Sequence, residues 1–71
     1  MEYNGHHCWN CWNVALWIGN DEGLYRFALA NKKRYGTEAG ARMMLAGLEP
    51  KTPDGARYTF TSVRSALREL E

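Results

Sequence analysis

The sequence has no long hydrophobic run, since its longest uninterrupted apolar stretch is Val14–Ile18. A membrane-spanning helix needs about 20 apolar residues, so we expect no contact with a membrane. The chain also lacks the charged and then apolar opening of a secretory signal. Its cysteines number only two, which in the absence of such a signal indicates a reducing compartment. These absences favour a cytoplasmic protein.

An excess of charge of either sign is also missing, because nine basic residues balance eight acidic ones for a net charge of +1. Dedicated nucleic-acid binders usually show a strong basic excess. Apolar residues make up 45% and aromatic residues 13% of the 71 positions. Since a large aromatic side chain buries roughly 150–250 Å², one small domain over residues 1–71 can form a core. Residues 1–8 have no hydrophobic period and are expected to be an irregular lead-in.

Hydrophobic periodicity predicts a mainly α fold of three to four short helices. The apolar residues of the first helix begin at Trp12 and do not alternate, which favours a helix over a strand. A left-handed stop is expected at Gly19–Asn20. Asn20 or Asp21 is then expected to cap the second helix. Three cations over residues 32–34, followed closely by a glycine, are typical of that helix's end.

The second half of the chain predicts two more helices. Thr37 is expected to cap the third helix, and Pro50 is expected to end it. The sequence of Thr52–Gly55 is typical of a β-turn. Residues 56–60 alternate between apolar and polar types, which favours one short extended segment without an obvious partner strand. A cap within Thr61–Ser62 is expected to open the last helix.

The predicted core consists of the inward-facing positions of these helices. They are Trp12, Leu16, Trp17, Leu24, Phe27, Ala28, Leu45, Leu48, Val63, Leu67 and Leu70.

The amino end holds the one cluster that resembles a metal site, formed by His6, His7, Cys8 and Cys11. Zinc favours four nitrogen or sulfur ligands in a tetrahedron, but adjacent side chains reach one ion poorly and no second pair follows. A site shared across a dimer is the weaker alternative. The C-W-N-C sequence is also that of a redox pair, whose usual βαβ host does not fit this length. We expect no metal and no cofactor.

The acidic pair Asp21–Glu22 is the nearest approach to a catalytic constellation. Neighbouring residues at a helix start diverge by about 100°, and capping and the helix dipole already explain them. No nucleophile with a base and no phosphate-binding loop is present. We therefore expect a protein that is not an enzyme.

Basic residues offer an alternative in nucleic-acid binding. Residues 32–34 are all cationic, and Arg64 and Arg68 share one face of the last helix. Either group could contact phosphate. Trp9 lies outside the helical pattern and is a candidate anchor for a protein partner.

The stretch Trp12–Tyr25, W-N-V-A-L-W-I-G-N-D-E-G-L-Y, resembles a motif of short, largely uncharacterised proteins of bacteriophages and plasmids. Those chains similarly continue into a T-P-D-G turn and an amphipathic helix, here Thr52–Gly55 and Thr61–Leu70. Where those chains carry a small polar residue before the Trp-Asn pair, this one has Cys11, which argues against a metal or redox role common to them. The resemblance implies an accessory protein that binds and blocks a host enzyme or defence complex, as anti-CRISPR proteins do.

The leading hypothesis is therefore a small α-helical protein-binding module in a host-cell cytoplasm, acting as an inhibitor of a host defence system. Large aromatic and arginine side chains are enriched in binding surfaces, and a homodimer is an alternative state of the chain. A nucleic-acid-binding regulator that uses the last helix is the second hypothesis, and a zinc-stabilised domain is the third. The candidate partner-binding residues are Trp9, Tyr25, Arg57, Arg64 and Arg68.

Overall fold

The computed structural model describes residues 9–70, which form four helices joined by short connections. They are α1 (Trp9–Asn20), α2 (Glu22–Tyr35), α3 (Thr37–Ala46) and α4 (Phe60–Arg68). Helix α1 packs mainly on α4 and α2, while α3 packs mainly on α2 and α4. The predicted mainly α single small domain is confirmed. The irregular lead-in predicted for residues 1–8 lies outside the described residues.

The first connection is a single residue, Asp21, which leaves helical geometry at φ −93° and ψ 119°. Its carboxylate oxygen accepts a hydrogen bond from the Leu24 amide at 2.9 Å, so of the two predicted caps, Asn20 or Asp21, the structure has Asp21. The stop predicted at Gly19–Asn20 is wrong, because α1 continues through both residues. Helix α1 also begins at Trp9, so this tryptophan belongs to the helix and does not precede it.

The α2–α3 connection turns on Gly36, which ends α2 and precedes α3 at φ 87°. This left-handed backbone favours glycine because a Cβ is strained there. The Thr37 cap is wrong: Thr37 is the first residue of α3, and no side chain caps that helix. The chain enters α3 directly from the glycine turn.

Helix α3 ends at Ala46, four residues before the end predicted at Pro50. Helix α4 begins at Phe60 and is capped by Thr59, so the cap predicted within Thr61–Ser62 is also wrong. The Thr59 hydroxyl accepts from the Ser62 amide at 3.1 Å, and the Ser62 hydroxyl accepts from the Thr59 amide at 2.9 Å. This reciprocal pair is a capping box.

The core consists mostly of small side chains. Its buried members are Val14, Ile18, Ala28, Ala41, Met44, Ala56, Val63, Ala66 and Leu67. Three predicted core residues, Ala28, Val63 and Leu67, are confirmed as fully buried.

The other predicted core residues lie further out. Leu45, Leu48 and Leu70 are half-buried and pack against the core, while Trp12, Trp17 and Leu24 are also half-buried. Leu16 is 39% exposed and Phe27 is 37% exposed, so both predictions are wrong. Small alanines occupy several of the buried positions, and these larger predicted residues lie nearer the surface.

Candidate functional site

The connection between α3 and α4 folds back on itself around the T-P-D-G turn. The Gly55 amide donates to the Thr52 carbonyl at 2.9 Å, which confirms the predicted turn. Lys51 and Arg57 form an isolated antiparallel bridge. Ala56 is buried and Arg57 exposed, as expected for the predicted extended segment, but that segment stops at residue 59 where α4 follows.

A polar side chain of α1, that of Asn13, holds this turn in place through hydrogen bonds. The Asn13 amide nitrogen Nδ2 donates to Asp54 Oδ2 at 2.9 Å, and its Oδ1 accepts from Thr52 Oγ1 at 2.7 Å. Thr52 Oγ1 in turn accepts from the Ala56 amide at 3.0 Å. Asn13 and Thr52 are both buried, so this network satisfies polar groups that would otherwise be costly to bury.

Two further side chains of α1 hold the same connection, at Asp54 and at Arg57. Trp17 Nε1 donates to Asp54 Oδ2 at 2.9 Å. Asn10 Nδ2 donates to the Arg57 carbonyl and Asn10 Oδ1 accepts from the Arg57 amide, both at 2.8 Å. The tryptophan–asparagine motif and the T-P-D-G turn are therefore one structural unit.

The fold favours the charged form of the Asp54 carboxylate. Hydrogen bonds from Asn13 and then from Trp17 lower the pKa of Asp54 below its ordinary value of 3.8, against a smaller opposing effect of burial. An anion therefore lies beside the Trp17 indole.

The turn and the α1–α2 junction enclose an apolar cleft of about 520 Å³. Trp17 and Tyr58 supply aromatic walls. Burial and then the charge of Asp21 raise the pKa of Tyr58, so its hydroxyl stays neutral at physiological pH. The cleft is lined by Trp17, Asp21, Leu24, Leu48, Glu49, Pro50, Lys51, Thr52, Pro53 and Tyr58.

Acidic residues outnumber basic ones at this cleft. Among residues 9–70, Asp21 and Glu49 line it together with one cation, Lys51, and Asp54 accepts the hydrogen bond from the Trp17 indole. The cleft thus combines apolar lining residues with charged residues whose net charge is negative.

None of the predicted partner-binding residues lines this cleft. Trp9 is 41% exposed at the start of α1, Tyr25 is exposed on α2, and Arg57 is exposed after the turn. Arg64 and Arg68 do come together, at a second hollow on α4. Arg64 is half-buried there and does not lie fully on the solvent side of the helix.

The cationic residues 32–34, which were considered as contacts for nucleic acid, differ in their surroundings. Lys32 Nζ donates to the Leu67 carbonyl at 2.7 Å and also to the Leu70 carbonyl, at the end of α4. Lys33 and Arg34 are exposed. One member of the predicted basic run is therefore part of the structure's own packing.

Of the candidate metal ligands, His6, His7 and Cys8 lie outside the described residues, and Cys11 is buried on α1. Within residues 9–70 no three His, Cys, Asp or Glu side chains lie close enough to hold a metal ion. No helix in that range is long and apolar enough to cross a membrane.

The sequence interpretation missed Trp17 and Tyr58 as walls of the cleft, because both fit an apolar face and were assigned to core or strand. The sequence signal that could have indicated these walls was Asp54 in the turn. Because the Trp17 indole N–H donates to this turn carboxylate, the tryptophan must lie at the surface. The separation of 37 residues between Asp54 and Trp17 concealed this pairing.

Comparison with known proteins identifies the family of this chain. No curated protein and no solved structure matches it. The model of a family of unknown function, DUF7249, matches residues 1–70, and the chain therefore belongs to that family.

Proposed function

We propose that this protein is a protein-binding module whose contact site is the cleft between the T-P-D-G turn and the α1–α2 junction. The observation that carries the proposal is an open apolar cleft with Trp17 and Tyr58 as walls. Aromatic side chains that are half-buried beside a cavity are typical anchors of protein interfaces.

Two of the polar groups that line the cleft already have structural partners, which favours binding over catalysis. The Asp21 carboxylate caps α2, and the Thr52 hydroxyl is held by Asn13. A general base or nucleophile needs a group that can reach substrate.

The occupant that fits is a segment of a partner protein with a large apolar side chain next to a lysine or arginine. The apolar side chain would lie on Leu24, Pro50 and Pro53, which are cleft-lining residues. The neighbouring cation would face Asp21 and Glu49, since complementary charge favours association.

The resemblance to phage and plasmid proteins adds a class of partner, namely a host enzyme or defence complex. We include inhibition of such a complex in the proposal. Phage plating on bacteria with an active defence system, with and without this protein, measures that effect directly.

Selection from a random peptide library tests the cleft. We expect the enriched peptides to carry an apolar residue beside lysine or arginine, and to shift the NMR signal of the Trp17 indole N–H. Leu24→Arg, which places a cation in the cleft, should lower the affinity for these peptides by at least about tenfold, which is 1.4 kcal/mol of binding free energy.

Leu16→Arg is the matched control, because Leu16 is exposed on α1 and does not line the cleft. It should leave peptide affinity unchanged. Enrichment of acidic peptides, absence of any enriched peptide, or equal losses in the two arginine variants would contradict the proposal.

A further inference from the structure

One face of α4 carries a second, chemically different hollow. Thr61, Arg64, Ser65 and Arg68 follow an i, i+3, i+4, i+7 spacing and therefore share that face. Together with Cys11 of α1 they line a hollow of about 330 Å³. Among residues 9–70, the side chains that line it carry two guanidinium groups and two hydroxyl groups but no carboxylate.

The Arg64 guanidinium is held in place by an aromatic ring. Its central carbon lies 5.3 Å from the Phe60 ring centroid, and that of Arg42 lies 4.8 Å from the same centroid. Such cation–π contacts orient the guanidinium plane. Arg64 is therefore positioned before any ligand arrives.

One donor of this guanidinium lacks an acceptor. Arg64 Nε is buried and makes no hydrogen bond within the part of the chain that the structure describes. A buried donor left in this state is unfavourable. Because this atom has no exposed surface, a ligand oxygen in the hollow reaches it only after a small movement of the Arg64 side chain.

We propose that this hollow binds a single phosphate group, either as inorganic phosphate or as part of a larger phosphorylated molecule. Arginine binds phosphate through two parallel N–H donors. Two such groups with the Thr61 hydroxyl supply donors for more than two oxygens, which suits a tetrahedral phosphate better than a planar carboxylate. This site is independent of the cleft, and the proposal does not rest on the proposed function.

A single phosphate fits the charge distribution better than a length of duplex. Of the residues that the structure describes, Arg64 and Arg68 are the cations that line the hollow. Lys32 is engaged with the end of α4, and Arg26 pairs with Glu22 at 2.7 Å. Duplex binding draws on several phosphate contacts along a surface.

Titration of the full chain with inorganic phosphate, followed by NMR, tests the site. We expect saturable shifts at the backbone of α4 and at the Arg64 Nε–H. Arg68→Gln, at an exposed position, should lower the affinity for phosphate by at least about tenfold. Arg64→Lys keeps the positive charge but loses the two parallel N–H donors of the guanidinium, and it should lower the affinity by the same factor.

Arg57→Gln is the matched control, since it removes the same charge from an exposed arginine outside the hollow. It should leave the affinity unchanged. Shifts reproduced by chloride at equal ionic strength, or equal losses in Arg57→Gln and Arg68→Gln, would overturn the proposal.

Two further ligands identify the source of the phosphate. A nucleoside monophosphate and a short single-stranded oligonucleotide are titrated under the same conditions. Equal affinity for all three assigns the hollow to free phosphate, and tighter binding of either larger ligand, lost in Arg68→Gln, assigns it to that molecule. Oligonucleotide binding that survives Arg68→Gln would contradict a phosphate site at this hollow.

Discussion

At the scale of single residues, Asp54 links the turn to α1. One carboxylate oxygen accepts from both Asn13 and Trp17, each at 2.9 Å. These bonds favour the charged form and lower the pKa of Asp54. Because the folded pKa lies below the unfolded value of 3.8, the resulting stabilisation is complete above that value and is lost as pH falls through the folded pKa.

Asp54→Asn should therefore lower the melting temperature at neutral pH. The asparagine can still accept a hydrogen bond, but it lacks the charge that strengthens both contacts. The difference between the two proteins should shrink as the pH falls from 3.8 through the lower pKa of folded Asp54, where the wild-type carboxyl also becomes neutral. Thermal melts across this pH range, followed by circular dichroism, measure it.

Glu49→Gln is the control for this experiment, since Glu49 is exposed and its side chain makes no hydrogen bond within residues 9–70. Its melting temperature should track the wild type at every pH. A constant difference between Asp54→Asn and the wild type down to strongly acidic pH would show that the charge has no role.

At the scale of elements, the carboxyl end of α4 depends on a side chain of α2. Lys32 Nζ donates to the carbonyls of Leu67 and Leu70. The last carbonyls of a helix have no partners within it and carry a partial negative charge. A half-buried ammonium there satisfies the acceptors and fixes α2 against α4.

Lys32→Met should reduce the free energy of unfolding by about 1–2 kcal/mol. Methionine retains an apolar stem of similar length but offers no donor to the carbonyls. For a domain of this size the melting temperature should fall by about 5–15 °C. Amide exchange should accelerate most in the last turn of α4.

Lys33→Met removes the same charge from the adjacent, exposed position. Its effect should remain within about 0.5 kcal/mol. If both variants lose the same stability, the lysine contributes through overall charge and the contact with α4 is unimportant.

At the scale of the whole molecule, the distance between α2 and α3 depends on Gly40. A Cβ added there would lie 2.7 Å from the Asn31 carbonyl oxygen and 3.2 Å from the Lys32 amide nitrogen. Both are backbone atoms, so neither can swing away as a flexible side chain would. The two helices therefore approach each other as closely as glycine permits.

Gly40→Ala should destabilise the protein by about 1–3 kcal/mol, because forced separation of α2 and α3 disturbs the small-residue core. This outcome opposes the gain of about 0.5–1 kcal/mol that alanine ordinarily brings to a helix interior. Urea unfolding measures the difference.

Gly19→Ala is the matched control, since Gly19 is helical and a Cβ there meets nothing within 4 Å. This variant should be more stable than the wild type by about 0.5–1 kcal/mol. Equal stabilisation of both variants would show that α2 and α3 can separate without cost.

The local sequence was sufficient to predict the mainly α fold, the Asp21 cap, the glycine that ends α2 and the T-P-D-G turn. These features depend on interactions within a few residues, such as the Asp21 carboxylate with the Leu24 amide. Propensity and turn chemistry describe interactions of that range well.

The tertiary structure alone decided which face of α1 is buried and where the cleft lies. Val14–Ile18 is apolar throughout, so its periodicity does not distinguish the face of Val14 and Ile18 from that of Leu16. The choice follows from partners distant in the chain, because Asn13 and Trp17 must reach Asp54. Packing and hydrogen bonding across such separations depend on the position of every helix at once, and no local pattern records it.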